Sequence, residues 1–317
     1  MKLTISLLTH NSASYIPACL KSIAEQTFTD FQLVCRDNRS EDETVATVQR
    51  VAPDARVVIE AENRGFSAGH NATIRETQSA YVCVLNHDLV LEPRYLEACI
   101  AFLDAHPSVG SVSGLLIRVS ALTDRPDPGI IDASGIAILR TGRAVLVDAG
   151  KPGQSVLRTK RMFGVPATAA VYRRAALDDV AINSEVFDED FFMYKEDVDL
   201  AMRLALRGWE AFVIPAARAY HIRSTDYRIL RRSSAWINRL SYRNHWFVLI
   251  KSLPSSFWIR NGIFIISFEL AKFIYLLFRE PSTLTVLSDV LKFRKKMFVK
   301  RRNIMSRAAL STERFYA

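Results

Sequence analysis

Over its first 120 residues the chain alternates short β-rich runs with longer stretches in which apolar positions recur at helical spacing. The runs are Leu3–Leu8, Phe31–Arg36, Arg56–Glu60 and Tyr81–Leu85, and helical stretches follow near 14–26, 41–51, 67–78 and 93–105. Such an alternation predicts an α/β fold with a mostly parallel sheet covered by helices. Sheets of this kind bind ligands beyond the carboxyl ends of their strands. All four runs end in polar residues: Thr9-His10-Asn11, Asp37-Asn38-Arg39-Ser40, Asn63-Arg64-Gly65 and Asn86-His87-Asp88.

The pattern weakens over 123–153, where Pro, Gly and Asp predict a long loop with a hairpin over the sheet edge. Beyond it, Met162–Tyr172 reads as one apolar strand, Phe187–Phe192 as an acidic and aromatic patch, and Glu196 to about Gly208 as a helix. A further strand, Glu210–Ile214, leads to His221. From about 226 onward the pattern is helical, basic and aromatic. The expected organisation is therefore an α/β unit over 1–225 and a helical region over 226–317.

Charge sharpens that division. The formal charge of +9 splits into 23 Lys and Arg against 28 Asp and Glu over 1–220, and 19 against 5 over 221–317. The first part is net −5 and the second net +14. Residues 254–279 are strongly apolar but interrupted by Arg260, Asn261, Glu269 and Lys272. A charge in mid-span costs about 2.5–3.5 kcal/mol on insertion scales, which argues against a transmembrane helix and for an interfacial one. The next stretch, 292–307, holds eight basic residues (Lys292, Arg294, Lys295, Lys296, Lys300, Arg301, Arg302 and Arg307) and no acid. Such segments are drawn to anionic lipid, so an anionic membrane surface is the expected partner of this region. Nucleic acid would account for the basic tail and nothing before it, and none is expected.

At 317 residues and 49% hydrophobic, the chain can bury a sizeable core without covalent staples. Cys19, Cys35, Cys83 and Cys99 sit singly in apolar segments, without the spacing of a zinc site, and read as buried reduced thiols. The first residues lack a secretory h-region, so the expected location is cytoplasmic, peripheral at the inner face of the cell membrane.

Asp88 is a carboxylate held at a strand end between apolar runs, as a divalent cation bridging a diphosphate requires. Glu196-Asp197-Val198-Asp199 opens a helix, where carboxylates are favoured by the dipole alone. The three acids at 188–190, interleaved with Phe187, Phe191, Phe192 and Tyr194, exceed what one helix start needs. Together the two acidic groups suggest a carboxylate that takes a hydroxyl proton beside aromatic faces that hold a sugar. Asn63-Arg64-Gly65-Phe66-Ser67-Ala68-Gly69-His70-Asn71 is a Gly-punctuated turn into a helix that can present N–H groups and an Arg to phosphate. It does not match the phosphate loop of nucleotide-triphosphate hydrolases. The first strand ends in Thr-His-Asn-Ser, not the Gly-rich basic loop expected of a nucleotidyltransferase.

In this order and spacing, the motifs over residues 3–225 resemble those of family 2 glycosyltransferases, in the branch that includes rhamnosyltransferases of bacterial surface-polysaccharide assembly. The resemblance implies a GT-A fold and an inverting transfer of a sugar, L-rhamnose from dTDP-L-rhamnose as the best match, to a saccharide or polyprenyl-diphosphate-linked acceptor. It implies nucleotide-sugar contacts at Thr9, Asn11, Asp37, Asn38, Asn63, Arg64, Gly65, Gly69, Asn71, Asn86, His87 and Asp88. Asn86-His87-Asp88 stands where the family has its metal-binding Asp-x-Asp, so Asp88 would hold Mg²⁺ or Mn²⁺. Glu196-Asp197 matches the family's Glu-Asp pair, with Asp197 similar to the catalytic base. His221 resembles a histidine that completes the metal site in some GT-A enzymes. A homo-oligomer is compatible with all of this.

Overall fold

The structure, a computed structural model, describes residues 1–125, 129–222 and 235–309. The expected boundary near 225 lies outside the described residues.

The first half follows the predicted alternation: β1 (Leu3–Thr9), α1 (Ile16–Ala24), β2 (Phe31–Asp37), α2 (Thr44–Val51), β3 (Arg56–Ile59), α3 (Gly65–Glu76) and β4 (Tyr81–Leu85). β1 lies between β2 and β4, parallel to both, and β3 extends the sheet beyond β2. The pleat of β1 sorts its side chains by chemistry. Leu3, Ile5 and Leu7 enter the main apolar core with residues of α1. On the other face Thr4 donates to Ser79 at 2.9 Å, and Ser6 meets His70 of α3 at 2.8 Å.

Beyond β5 (Leu89–Leu91) and α4 (Tyr95–Ala105) the sheet becomes mixed. β6 (Val109–Val119) pairs with β11 (Ala169–Arg173), which runs antiparallel between β6 and β4, and pairs in parallel with β12 (Glu210–Ile222). β6 is a strand that the hydrophobic pattern does not announce. Gly110, Ser111, Ser113 and Gly114 punctuate it like a turn, yet the added Cβ of any residue at 114 would lie 2.3 Å from the carbonyl oxygen of Ala217. The glycine marks close approach of two strands, not a bend.

Three other expectations are corrected. The run Met162–Tyr172 is two strands, β10 (Lys160–Met162) at the sheet edge and β11 inside it. The stretch 123–153 carries the expected hairpin, β8 (Ile136–Ile138) and β9 (Ala144–Leu146), but where a loop was expected it also holds a strand, β7 (Ile130–Ala133), paired with β6. The strand that opens at Glu210 continues to Ile222, so His221 lies within β12 and not after it. A register shift between Ile214 and Arg218 carries Pro215 through the strand without a ladder donor.

After α5 (Arg174–Val180) and α6 (Glu196–Arg207), the C-terminal region forms α7 (Ala235–Lys251), α8 (Ser255–Arg279) and α9 (Val286–Ser306). It is not a loose appendage. Val198, Met202 and Leu206 of α6 share one buried cluster with Phe247, Val248 and Leu249 of α7 and Met297 and Ile304 of α9. An ion network completes the joint: Lys251 lies 2.5 Å from Asp188 and 2.8 Å from Asp199, and Lys300 lies 2.5 Å from Asp188 and 2.8 Å from Asp190. Asp188, Asp190 and Asp199 are therefore occupied in joining the helical region to the α/β unit, not grouped around a sugar as the sequence suggested. The basic tail is spent in part on the same joint. Lys296 meets Asp190 at 2.6 Å, Arg301 donates to the carbonyls of Ile250 and Leu253, and Arg307 donates to those of Asp179 and Ala181.

Candidate active site

The carboxyl ends of β1, β2 and β4 open into a cleft of about 1530 Å³. Thr9, Asn38, Asn63, Gly65, Asn86, His87 and Asp88 line one side, and Glu196, Asp197 and His221 line the same cleft. Ten residues named from the sequence, nine polar side chains and Gly65, thus share one cleft. The remaining ones named there are close by but engaged elsewhere. Asp37 holds the strand-end turn, accepting from Thr9 Oγ1 at 2.8 Å and from Ser40 Oγ at 2.6 Å. Asn11 accepts from the Glu41 amide, Arg64 pairs with Glu189, and Asn71 is buried on the inner face of α3, bonded to the backbone of Val186 and Phe187. Gly69 packs α3 onto the Leu8 side chain.

Asp88 and His221 are brought together because β5 pairs with the end of β12, His221 opposite Leu89. His221 Nε2 lies 3.5 Å from Asp88 Oδ2, and Nδ1 lies 2.9 Å from Asp132 Oδ2. Burial opposes a charge on this imidazole, but hydrogen bonds to Asp132 and Asp88 outweigh it and lift its pKa to about 9. Asp88 is buried too, which by itself would raise its pKa; His221 and His87 hold it below the ordinary carboxylate range. Asp88 Oδ1 is a buried atom with no hydrogen-bond partner among the described residues. An orphaned carboxylate oxygen beside a histidine oriented from behind by a second carboxylate fits a divalent cation whose other ligands are phosphate and water, the cation taking the place of the proton on His221 Nε2.

Asp132, on β7, was missed because it sits in a stretch whose Gly, Pro and Asp content reads as loop. Its only early signal was an Asp next to the apolar pair Ile130-Ile131.

The second centre is the start of α6. Phe192, Tyr194 and Lys195 all have positive φ, at 63°, 69° and 68°, conformations that cost of order 1–3 kcal/mol each in a non-Gly residue. The C-terminal region holds them. Asn244 of α7, fully buried, directs its amide at the carbonyls of Phe191, Met193 and Tyr194 at 2.8–2.9 Å. Gly65 closes the turn from the other side: a Cβ there would lie 2.6 Å from the Phe192 carbonyl oxygen. This turn delivers Glu196 and Asp197 to the cleft. Burial raises the pKa of both, and the charge of Asp197 adds to the rise at Glu196. N–H groups of Val198 and Ala167 and the Lys195 ammonium restrain the rise at Asp197. The upward shift is the stronger at Glu196, and Asp197 gains the increased basicity that a general base needs.

The far wall comes from the C-terminal helices, with Trp236 and Tyr242 of α7 and Phe268, Lys272 and Tyr275 of α8, while Arg143 of the β8–β9 hairpin and Lys195 add positive charge. None of these was foreseen as a site residue except through the general basic and aromatic character of the region.

A family profile described as Glycosyl transferase family 2 matches residues 4–181. Among curated relatives, the N-acetylglucosaminyl-diphospho-decaprenol L-rhamnosyltransferase of Mycobacterium tuberculosis is 26% identical over 243 residues, covering 69% of this chain and 75% of that protein. The poly(ribitol-phosphate) beta-N-acetylglucosaminyltransferase TarS of Staphylococcus aureus is 27% identical over 133 residues, 40% of this chain and 22% of that one. Among solved structures, S. aureus TarS 1-349 matches with a TM-score of 0.57 at 16% identity, over 96% of this chain and 90% of that one. GalNAc-T7 with UDP, GalNAc and Mn²⁺ matches with a TM-score of 0.60 at 12% identity, over 79% of this chain and 48% of that one.

Proposed function

The chain belongs to glycosyl transferase family 2 and is a glycosyltransferase, and from that premise we propose that it inverts configuration as it moves L-rhamnose from dTDP-L-rhamnose to a lipid-linked or growing polysaccharide acceptor. The observation that carries this reading is the presence, in one cleft, of a cation-fitting Asp88–His221 pair at the strand ends and a basic Asp197 at the start of α6. Asp197 would take the proton of the acceptor hydroxyl as that oxygen attacks the anomeric carbon from the side opposite the diphosphate, so that one displacement inverts the centre. Asp88 and His221 would hold Mg²⁺ or Mn²⁺, which supplies charge neutralisation to the departing diphosphate. Lys195 and Arg143 place further positive charge in the cleft, and Phe192, Tyr194 and Trp236 offer faces against which a sugar can pack. The relative of M. tuberculosis is named for a rhamnosyl transfer to a decaprenol-linked acceptor, which supports the choice of donor and acceptor here. Such an acceptor is anchored in a membrane and would bring the enzyme to its cytoplasmic face. The four cysteines, all free and buried, agree with a reducing compartment.

A thermal-shift panel of nucleotide sugars with Mn²⁺, followed by a transfer assay with the best binder, tests the reading. The stabilisation expected of the right donor is about 2.7 kcal/mol at a hundredfold excess over Kd. dTDP-L-rhamnose should give the largest shift; a larger shift with a UDP-sugar would replace the donor, and no shift with any member would remove the proposal.

The metal site has its own check. Asp132 also lines the cleft and fixes the His221 ring through Nδ1. Asp132→Asn should weaken Mn²⁺ binding in the presence of a nucleoside diphosphate by about 10–100-fold, the usual cost of losing the partner of a metal-bound histidine. Unchanged Mn²⁺ affinity in an electron paramagnetic resonance titration would show that His221 is not a ligand.

A further inference from the structure

Helix α8 divides its 25 residues between two surroundings. Phe257, Asn261, Ile265, Glu269 and Leu276 are buried against the protein, and Phe268, Lys272 and Tyr275 face the cleft. The opposite side carries Ile259, Ile263, Ile266, Leu270, Ile274 and Leu277, which are 48–87% exposed. Their spacing of three and four keeps them in one stripe along the axis, roughly 27 Å long at 1.5 Å per residue. Of the polar residues that interrupt this segment in the sequence, Asn261, Glu269 and Lys272 lie off the stripe, and Arg260 is exposed beside its first residue. Asn261 accepts from Arg140, and Glu269 meets His245 at 2.8 Å and the Tyr242 hydroxyl at 2.9 Å on the inward side.

A solvated helix face is ordinarily polar, and a continuous apolar face of this length marks an interaction surface. The neighbouring helix indicates what covers it. α9 exposes Lys292, Arg294, Lys295 and Arg302 beside Leu291, Phe298 and Val299. The single acid of α9, Asp289, is held by Arg239 at 2.8 Å. Exposed cations without an exposed acid on the same helix complement an anionic surface, and apolar and basic residues together are the composition of a helix seated at a lipid interface.

We propose that α8 lies in the plane of an anionic bilayer surface, its Ile259–Leu277 stripe among the upper acyl chains and the exposed basic residues of α9 on the headgroups. The inward face of α8 is held by α7 and the β8–β9 hairpin region, which keeps the helix flat on the surface and not across it. The inference rests on the proposed function in one respect, that the acceptor is carried on lipid. Because α8 is also a wall of the cleft, an acceptor anchored in the same membrane reaches the catalytic carboxylates past this helix.

Sedimentation of the full chain with phosphatidylcholine vesicles, with and without phosphatidylglycerol, tests the docking without any sugar substrate. Binding should require phosphatidylglycerol, fall as salt is raised, and be reversed by alkaline carbonate. Ile263→Asp with Leu270→Asp should lower partitioning by about tenfold or more, and Arg294→Gln with Lys295→Gln should weaken it only on the anionic vesicles. Both double variants alter exposed residues away from the cleft, so their thermal stabilisation by dTDP with Mn²⁺ should equal that of the unaltered chain. Equal vesicle binding by the Asp variants, retention after carbonate, or a dimer in solution that the Asp variants abolish would each overturn the proposal, the last two in favour of a spanning helix and a second copy. Loss of dTDP stabilisation in the unaltered chain would instead strike the functional reading and leave the docking result standing.

Discussion

Asp197→Asn should lower the turnover of sugar transfer by about 10²–10⁴-fold while leaving donor affinity within a factor of about two, because only proton removal is lost. The substitution conserves shape and keeps an oxygen for the Val198 N–H, which donates to Asp197 Oδ1 at 2.7 Å. Fold and cleft should therefore survive, as checked by nucleoside-diphosphate binding. The pH profile supplies a second readout. Burial raises the Asp197 pKa, so the acid limb of kcat/KM should fall at a pH above the ordinary carboxylate value of about 3.9, with activity rising as the group ionises. Glu196, whose pKa burial and the Asp197 charge raise well above the ordinary carboxylate range, should tolerate Glu196→Gln far better than its neighbour tolerates loss of charge. Transfer by Asp197→Asn within about tenfold of the unaltered enzyme would mean that another group takes the proton.

What the sequence made legible, and what it hid, follows from how local each signal is. The strand-and-helix alternation over the first hundred residues appears in the structure with bounds shifted by up to about three residues and with β5 added, because each of the other elements is set by its own periodicity. Strand-end motifs were legible for the same reason: a polar tripeptide after an apolar run is a local event, and Thr9, Asn38 and Asp88 all face the cleft. Asp132 and Asn244 were not legible, because their roles exist only through partners 89 and 50–53 residues away in the chain. β6 was hidden by glycines and serines that serve close strand packing and break up its apolar run. The acidic cluster at 188–190 misled in the opposite sense. Acids beside aromatics look like a sugar site until the lysines that face them, from two helices far along the chain, are brought into contact.

That contact makes the C-terminal region part of the catalytic unit, and its removal should be costly. Lys251 is fully buried with Asp188 and Asp199 as its partners. Lys251→Met would leave both carboxylates in place, Asp188 with Lys300 and Asp199 with Arg203 and Ser252. Breaking a buried pair from one side costs roughly 3–5 kcal/mol, and the remaining cations place the expected loss near the lower end, about 3 kcal/mol or roughly 5–10 °C in Tm. Adding Asp199→Asn should recover part of it, because the under-compensated charge is then gone. The pH dependence has a definite sign. Burial acts to raise the Asp188 pKa, but Lys251 and Lys300 outweigh it and hold the group well below the ordinary carboxylate range. Its contribution is therefore complete above the unfolded value of about 3.9 and is lost as pH falls towards the lower folded value. Lys300, lifted above the ordinary lysine range by Asp188 and Asp190 against the opposing effect of burial, contributes below the unfolded value of about 10.4 and loses that contribution as pH rises through its higher folded value. Urea unfolding from pH 3 to pH 7 should show the unaltered chain losing more stability on acidification than Lys251→Met, which has less of this contribution to lose. Because Asn244 holds the Asp197 turn from the same helix, the variant should also lose turnover at temperatures where it is still folded. Full activity with an unchanged urea midpoint would mean that α7 reaches its place through the apolar cluster alone.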